Sequence, residues 1–128
     1  MIQKIGTPKP SPSGIIPHFS SCVKTDGLVF VSGQLPFGED GQITGQDITE
    51  QTHQCLRNSE NILKQAGLSK KDIVKVTIWL THADDFAGFN EAYKAFFDCT
   101  PPARTTVGST LMVPGALVEI EVIAATQA

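Results

Sequence analysis

At 128 residues the chain is bounded to a single domain, 1–128, with room for one real core and not for two. Hydrophobic residues make up 41% and charged residues 18%, which excludes a disordered chain. The net charge of −3, with no basic run or stripe, argues against nucleic acid as the main partner, because phosphate contacts need clustered Lys and Arg. No stretch approaches the length of a membrane span, and "MIQKIGTPKPSPSG" lacks the apolar segment of a secretory signal. Cys22, Cys55 and Cys99 are odd in number and widely spaced, which points to free thiols in a reducing cytoplasm. His18, His53 and His82 show no metal-ligand spacing with each other or with the cysteines, so no metal site is expected.

Along the chain, a short strand is expected near residues 2–5, followed by an extended Pro-rich loop over 7–14, "TPKPSPSG". "SSCVKTDGLVFVSG" (20–33) predicts two strands joined at Asp26-Gly27. Its "LVFV" is apolar on both faces, as in a strand covered on both sides. Residues 34–45 are loop. Asp47 with Glu50 marks a capping-box-like helix start. Ile48, Thr52, Cys55, Leu56, Ser59, Ile62, Leu63 and Ala66 then recur at helical spacing up to Gly67.

"DIVKVTIWL" (72–80) predicts a strand, with Val74, Val76, Ile78 and Leu80 on one face. Ile73, Thr77 and Trp79 form the other, interrupted by Lys75. Residues 84–97 predict a second helix, capped by Asp84 or Asp85, with a stripe of Phe86, Phe89, Tyr93, Phe96 and Phe97. After the connector "TPP" come two last strands, roughly 103–109 and 116–125. The order β-β-β-α-β-α-β-β describes an α+β fold with two helices on a mixed sheet. Two helices cover one face of that sheet. The other face, apolar in its central strands, is expected to pack on further copies of the chain, giving a homo-oligomer.

Several residues are candidates for chemistry. Alternation in "ALVEIEVIAA" puts Glu119 and Glu121 on one face, either solvated or in a partly buried pocket suited to proton handling or to holding a water. Arg104 follows Pro101-Pro102 and shares a strand face with Thr106 and Gly108. Such a rigid mount suits a planar fork that grips a carboxylate, but it equally suits a structural ion pair with Glu119 or Glu121. Asn90 falls within the apolar stripe of the second helix and needs a partner, in a loop or in a site. Ser32-Gly33 ends a buried strand before a Gly-containing loop, a usual place for backbone to meet a ligand. Ser32 has no accompanying hydrolase motif. His18 stands alone.

"VSGQLP", "AGL…DIVKVTIWLTHADDFAGFNEAYKAFF", "PPARTTVG" and "PGALVEIEVIA" occur in this order and at these distances. In these segments the chain resembles the RidA/YjgF family of reactive-intermediate imine deaminases, from about residue 16 to 125. The resemblance implies a chorismate-mutase-like (YjgF-like) six-stranded mixed sheet with two helices on one face, and a homotrimer whose sheets surround a central barrel. It implies sites between subunits where imines and enamines such as 2-iminobutanoate and 2-iminopropanoate are hydrolysed to 2-keto acids and ammonia. No cofactor is used, and neither nucleic acid nor membrane is expected as a partner. By the same resemblance Arg104 grips the substrate carboxylate and Glu119 helps hold the attacking water. Ser32, Gly33, Asn90, His18 and Thr106 line the pocket. His18 and Thr106 depart from the Tyr and Cys of well-characterised members, which leaves open a larger amine-bearing acid as substrate. A trimer that binds small carboxylates without catalysis is the other alternative.

Overall fold

The computed structural model describes residues 1–127 and follows the expected order: β1 (Gln3–Ile5), β2 (Cys22–Thr25), β3 (Leu28–Gln34), α1 (Ile48–Gln65), β4 (Ile73–Leu80), α2 (Phe86–Phe96), β5 (Ala103–Gly108) and β6 (Val118–Ala125). The strands form one sheet in the order β1-β2-β3-β6-β4-β5. Only β4 and β5, joined through α2, run parallel. Every other neighbouring pair is antiparallel, so the sheet is mixed as expected. No helix is long and apolar enough to cross a membrane.

Local chemistry explains the boundaries. The Asp47 carboxylate accepts from the Glu50 N–H at 2.9 Å and starts α1. Glu50 reaches back to the N–H of Gln46, one residue short of a closed capping box. At the other end Gly67 takes φ +80°, while Gly67 and Leu68 donate to the carbonyls of Lys64 and Leu63. A side chain at residue 67 would strain this left-handed turn. The start of α2 differs from expectation. A 3₁₀ turn, Ala83–Asp85, leads into it, and Asp85 makes no side-chain bond to the helix. Its carboxylate lies 3.9 Å from His82 Nδ1 instead.

Both helices lie on one face of the sheet. Leu56 and Leu63 of α1 and Phe89 of α2 meet Val29 and Val31 of β3, Val76, Ile78 and Leu80 of β4, and Val118, Ile120 and Val122 of β6. One expectation is corrected here. Val74 does not join the buried face of β4. A shift in register between Ile73 and Lys75 turns Ile73 into the core and leaves Val74 exposed. One extra residue in a strand reverses the alternation on one side of it, and no residue type announces it.

The opposite face carries no layer. Leu28, Phe30, Val74 and Val107 stand exposed on it, with Trp79 half-buried. It is less uniformly apolar than the strand patterns imply, because Thr105, Thr77 and Glu121 align across β5, β4 and β6 as a polar row.

Gln51, buried in α1, joins helix, loops and sheet. Its amide donates to the carbonyls of Gly45 and Gly115 and accepts from the Leu117 N–H at 2.7 Å. Gln51→Ala leaves three backbone groups without their partner and is expected to lower stability by about 3 kcal/mol. Urea denaturation measures this. A loss within experimental error would show that the two loops hold β6 without Gln51.

Candidate functional site

Pro101 and Pro102 lead directly into β5, the edge strand, and restrict the backbone ahead of Arg104. In register, Arg104 pairs with Val76 and Thr106 with Ile78, so both lie on the helix-covered side. There α2 meets Arg104. The guanidinium carbon is 4.9 Å from the centroid of the Tyr93 ring, 5.5 Å from that of Phe89 and 5.7 Å from that of Phe86. Nη1 donates to Asn90 Oδ1 at 2.9 Å. The partner that Asn90 requires is therefore Arg104 itself, not a loop. Arg104 stays exposed and makes no ion pair among the described residues.

Two clefts adjoin this arginine. One of about 850 Å³ lies between the end of α2 and the start of β5, lined by Asn90, Tyr93, Phe97, Pro102 and Arg104 among others. A smaller one of about 230 Å³ is lined by Leu80, Ala83, Phe86, Thr106, Val107 and Gly108. The Thr106 hydroxyl is enclosed and has no hydrogen-bond partner among the described residues. The Tyr93 hydroxyl is likewise unpartnered. Burial pushes its pKa up to about 12, partly offset by the Arg104 charge.

Glu119 lies elsewhere. It pairs with Trp79 and faces the uncovered side of the sheet. The strand spacing and rise put it roughly 10 Å across and roughly 10 Å along the sheet from Arg104, on the opposite face. A structural pair between Arg104 and Glu119 or Glu121 within one chain is thereby excluded. Glu119 instead meets Gly33: a Cβ at residue 33 would collide with Glu119 Oε2. The register break between Val31 and Gln34 brings this bare Cα to the carboxylate. Burial, and then the charge of Glu121, raise the Glu119 pKa above its ordinary value of 4.5.

Ser32 donates from Oγ to the Ser20 carbonyl at 2.7 Å, and from its N–H to the Ser21 carbonyl at 3.0 Å. It thus ties β3 to the segment that carries His18, which is exposed beside exposed Ile15, Ile16 and Phe19. The site candidates form two groups: Arg104, Asn90 and Thr106 in one, Glu119, Gly33 and Ser32, with the His18 segment, in the other. The three rings beneath Arg104 went unassigned at the sequence level, although their spacing was visible as the stripe of α2. Among the described residues no three His, Cys, Asp or Glu side chains come together as metal ligands would.

The family model described as endoribonuclease L-PSP matches residues 11–126, and the chain belongs to this family, which includes the YjgF and Rid proteins. A RutC family protein of Pyrococcus abyssi is 40% identical over 116 residues, covering 90% of this chain and 89% of that protein. The solved structure of a Rid family protein of unknown function from Yersinia pestis superposes with a TM-score of 0.86 at 38% identity, covering 98% of this chain and all of that one. E. coli TdcF, solved with bound serine, gives a TM-score of 0.85 at 36% identity and the same coverage. These likenesses bear out the mixed six-stranded sheet of the YjgF fold.

Two outcomes are expected around Glu119. In Gly33→Ala the obstructing atom is the end of a flexible side chain, so the carboxylate rotates away while the fold persists. A crystal structure of the variant with Glu119 unmoved would refute the contact. The raised carboxyl pKa also makes stability pH-dependent. At low pH both folded and unfolded chains hold the proton. As pH rises past 4.5 the unfolded chain ionises first, and the folded chain loses stability until Glu119 ionises too. The stability of Glu119→Gln relative to the parent should therefore grow between about pH 4 and about pH 8. Denaturation midpoints across that range measure it, and a constant difference would place Glu119 in an ordinary solvated setting.

Proposed function

We propose that the chain is an imine deaminase of the RidA type. It hydrolyses 2-imino acids such as 2-iminobutanoate and 2-iminopropanoate, and their enamines, to 2-keto acids and ammonia at sites between the copies of a homotrimer. One observation carries this reading. Arg104 presents an unpaired guanidinium at one edge of the chain, while Glu119 presents a partly desolvated carboxylate on the other face. No small acid reaches both within one chain, whereas two copies meeting edge to face bring the groups together. The uncovered apolar face supplies a reason for the copies to assemble. The serine bound to TdcF supports a ligand that carries a carboxylate beside a nitrogen.

In this reading the Arg104 fork holds the carboxylate through two parallel hydrogen bonds, a charge-assisted contact worth about 1.5–3 kcal/mol. Asn90 occupies Nη1 from the side and limits how the fork turns. Glu119 holds a water and takes its proton as the oxygen adds to the imine carbon, while the nitrogen is protonated. The resulting carbinolamine expels ammonia as the C–N bond breaks and the carbonyl forms. Ser32, Gly33, Thr106 and His18 shape the cavity. The cleft of about 850 Å³ beside Arg104 gives room for a larger amine-bearing acid, the second reading of the substrate. RNA cleavage, which the family description names, would draw on a cationic track for phosphates, and the net charge of −3 argues against it.

The test is ammonia release from imino acids generated in the assay by an amino-acid oxidase. Arg104→Lys keeps the charge but loses the fork, and is expected to lose most binding and turnover. Glu119→Gln should retain carboxylate binding and lose turnover. Near-parental activity in either variant refutes the assigned role. Arg104→Ala and a double change at His18 and Ser32, each inactive alone, should recover less than about half of parental activity when refolded together as mixed trimers. No recovery from well-assembled mixtures would place the whole site in one chain.

A further inference from the structure

Four side chains of α2 converge on Arg104. Phe86, Phe89 and Tyr93 stand at i, i+3 and i+7, so they form one stripe of the helix, and Asn90 lies beside it. The rings approach the guanidinium carbon at 4.9–5.7 Å, while Asn90 takes one N–H. An exposed arginine on an edge strand otherwise keeps much of its rotamer freedom, and one hydrogen bond leaves the plane of the fork free to turn. Rings at this distance favour the cation over their faces and restrict how the plane lies.

We infer that Phe86, Phe89 and Tyr93 form an aromatic cradle that orients the Arg104 fork toward a ligand carboxylate, with Tyr93 as its principal positioning residue. This role presupposes that Arg104 holds a carboxylate, as proposed above. Tyr93 serves through its ring. Its hydroxyl has no partner among the described residues, and it stays protonated at neutral pH, so it offers Arg104 no counter-charge. Phe97 supplies an internal comparison. It stacks on Tyr93 at 4.8 Å and belongs to the same core, but it is not among the rings that the guanidinium meets.

The probe is 2-oxobutanoate, a stable 2-keto acid with a carboxylate and no imine, titrated calorimetrically into the assembled full-length protein. Tyr93→Leu should weaken its binding on the order of tenfold, whereas Tyr93→Phe, which keeps the ring, should stay within about twofold of the parent. Phe97→Leu should lower the melting temperature as Tyr93→Leu does, yet bind within about twofold of the parent. Turnover of 2-iminobutanoate by Tyr93→Leu should show a raised KM with kcat largely retained. Parental binding by Tyr93→Leu overturns the cradle. So does a loss in Phe97→Leu equal to that in Tyr93→Leu, which would mark a packing effect. A loss in Tyr93→Phe equal to that in Tyr93→Leu overturns it by assigning the role to the hydroxyl. If Tyr93→Leu does not assemble, Phe86→Leu decides, because Phe86 is exposed at the helix start. It should weaken binding by about threefold, and parental affinity there overturns the cradle. A parent protein that binds no 2-oxobutanoate overturns the carboxylate role of Arg104 and the cradle together; parental binding with unaffected variants overturns the cradle alone.

Discussion

A sheet has two faces, and this chain provides helices for one. That constraint organises the rest of the molecule. The covered face holds the core of Leu56, Leu63, Phe89 and the central strands. The other shows Leu28, Phe30, Val74 and Val107 to its surroundings, with a polar row running between them. Side chains with chemical potential are sorted by the same division. Arg104 takes the helix side of the edge strand, where aromatic rings receive it, and Glu119 takes the bare side, where Gly33 makes room for it.

Each half of the candidate site is then held by a different kind of support. The arginine depends on a helix: α2 supplies three rings and an amide from one stripe. The glutamate depends on backbone: a register break in β3 lets a residue without a side chain lie against the carboxylate, and Gln51 fixes the start of β6 two residues before it. Ser32 connects the second half to the loop bearing His18 through the Ser20 carbonyl. Both halves are therefore positioned by secondary structure, not by long loops, as a preorganised site requires.

Much of this was legible in the residues and some was not, for physical reasons. Asp47 and Gly67 marked the ends of α1 because caps act over three or four residues. Asp26-Gly27 marked the hairpin for the same reason. The place of Val74 was misread, since a bulge depends on which strand lies alongside. Asn90 stood out as a polar residue in an apolar stripe, but its partner lies fourteen residues away across an element boundary. The separation of Arg104 from Glu119 was illegible in principle. Alternation gives the face within each strand, but only the sheet order β6-β4-β5 says which faces coincide.

Trp79, the single tryptophan, lies in register with Glu119 on β6 and Val107 on β5, half-buried on the bare face. The molecule thus carries its own optical reporter at the seam where copies would meet. Covering that face removes water from the indole and shifts its emission to shorter wavelength. Ionisation of the carboxylate one strand away changes the field on the ring. A single intrinsic chromophore therefore registers both association and the protonation of Glu119, without a label and at concentrations where a weak assembly comes apart.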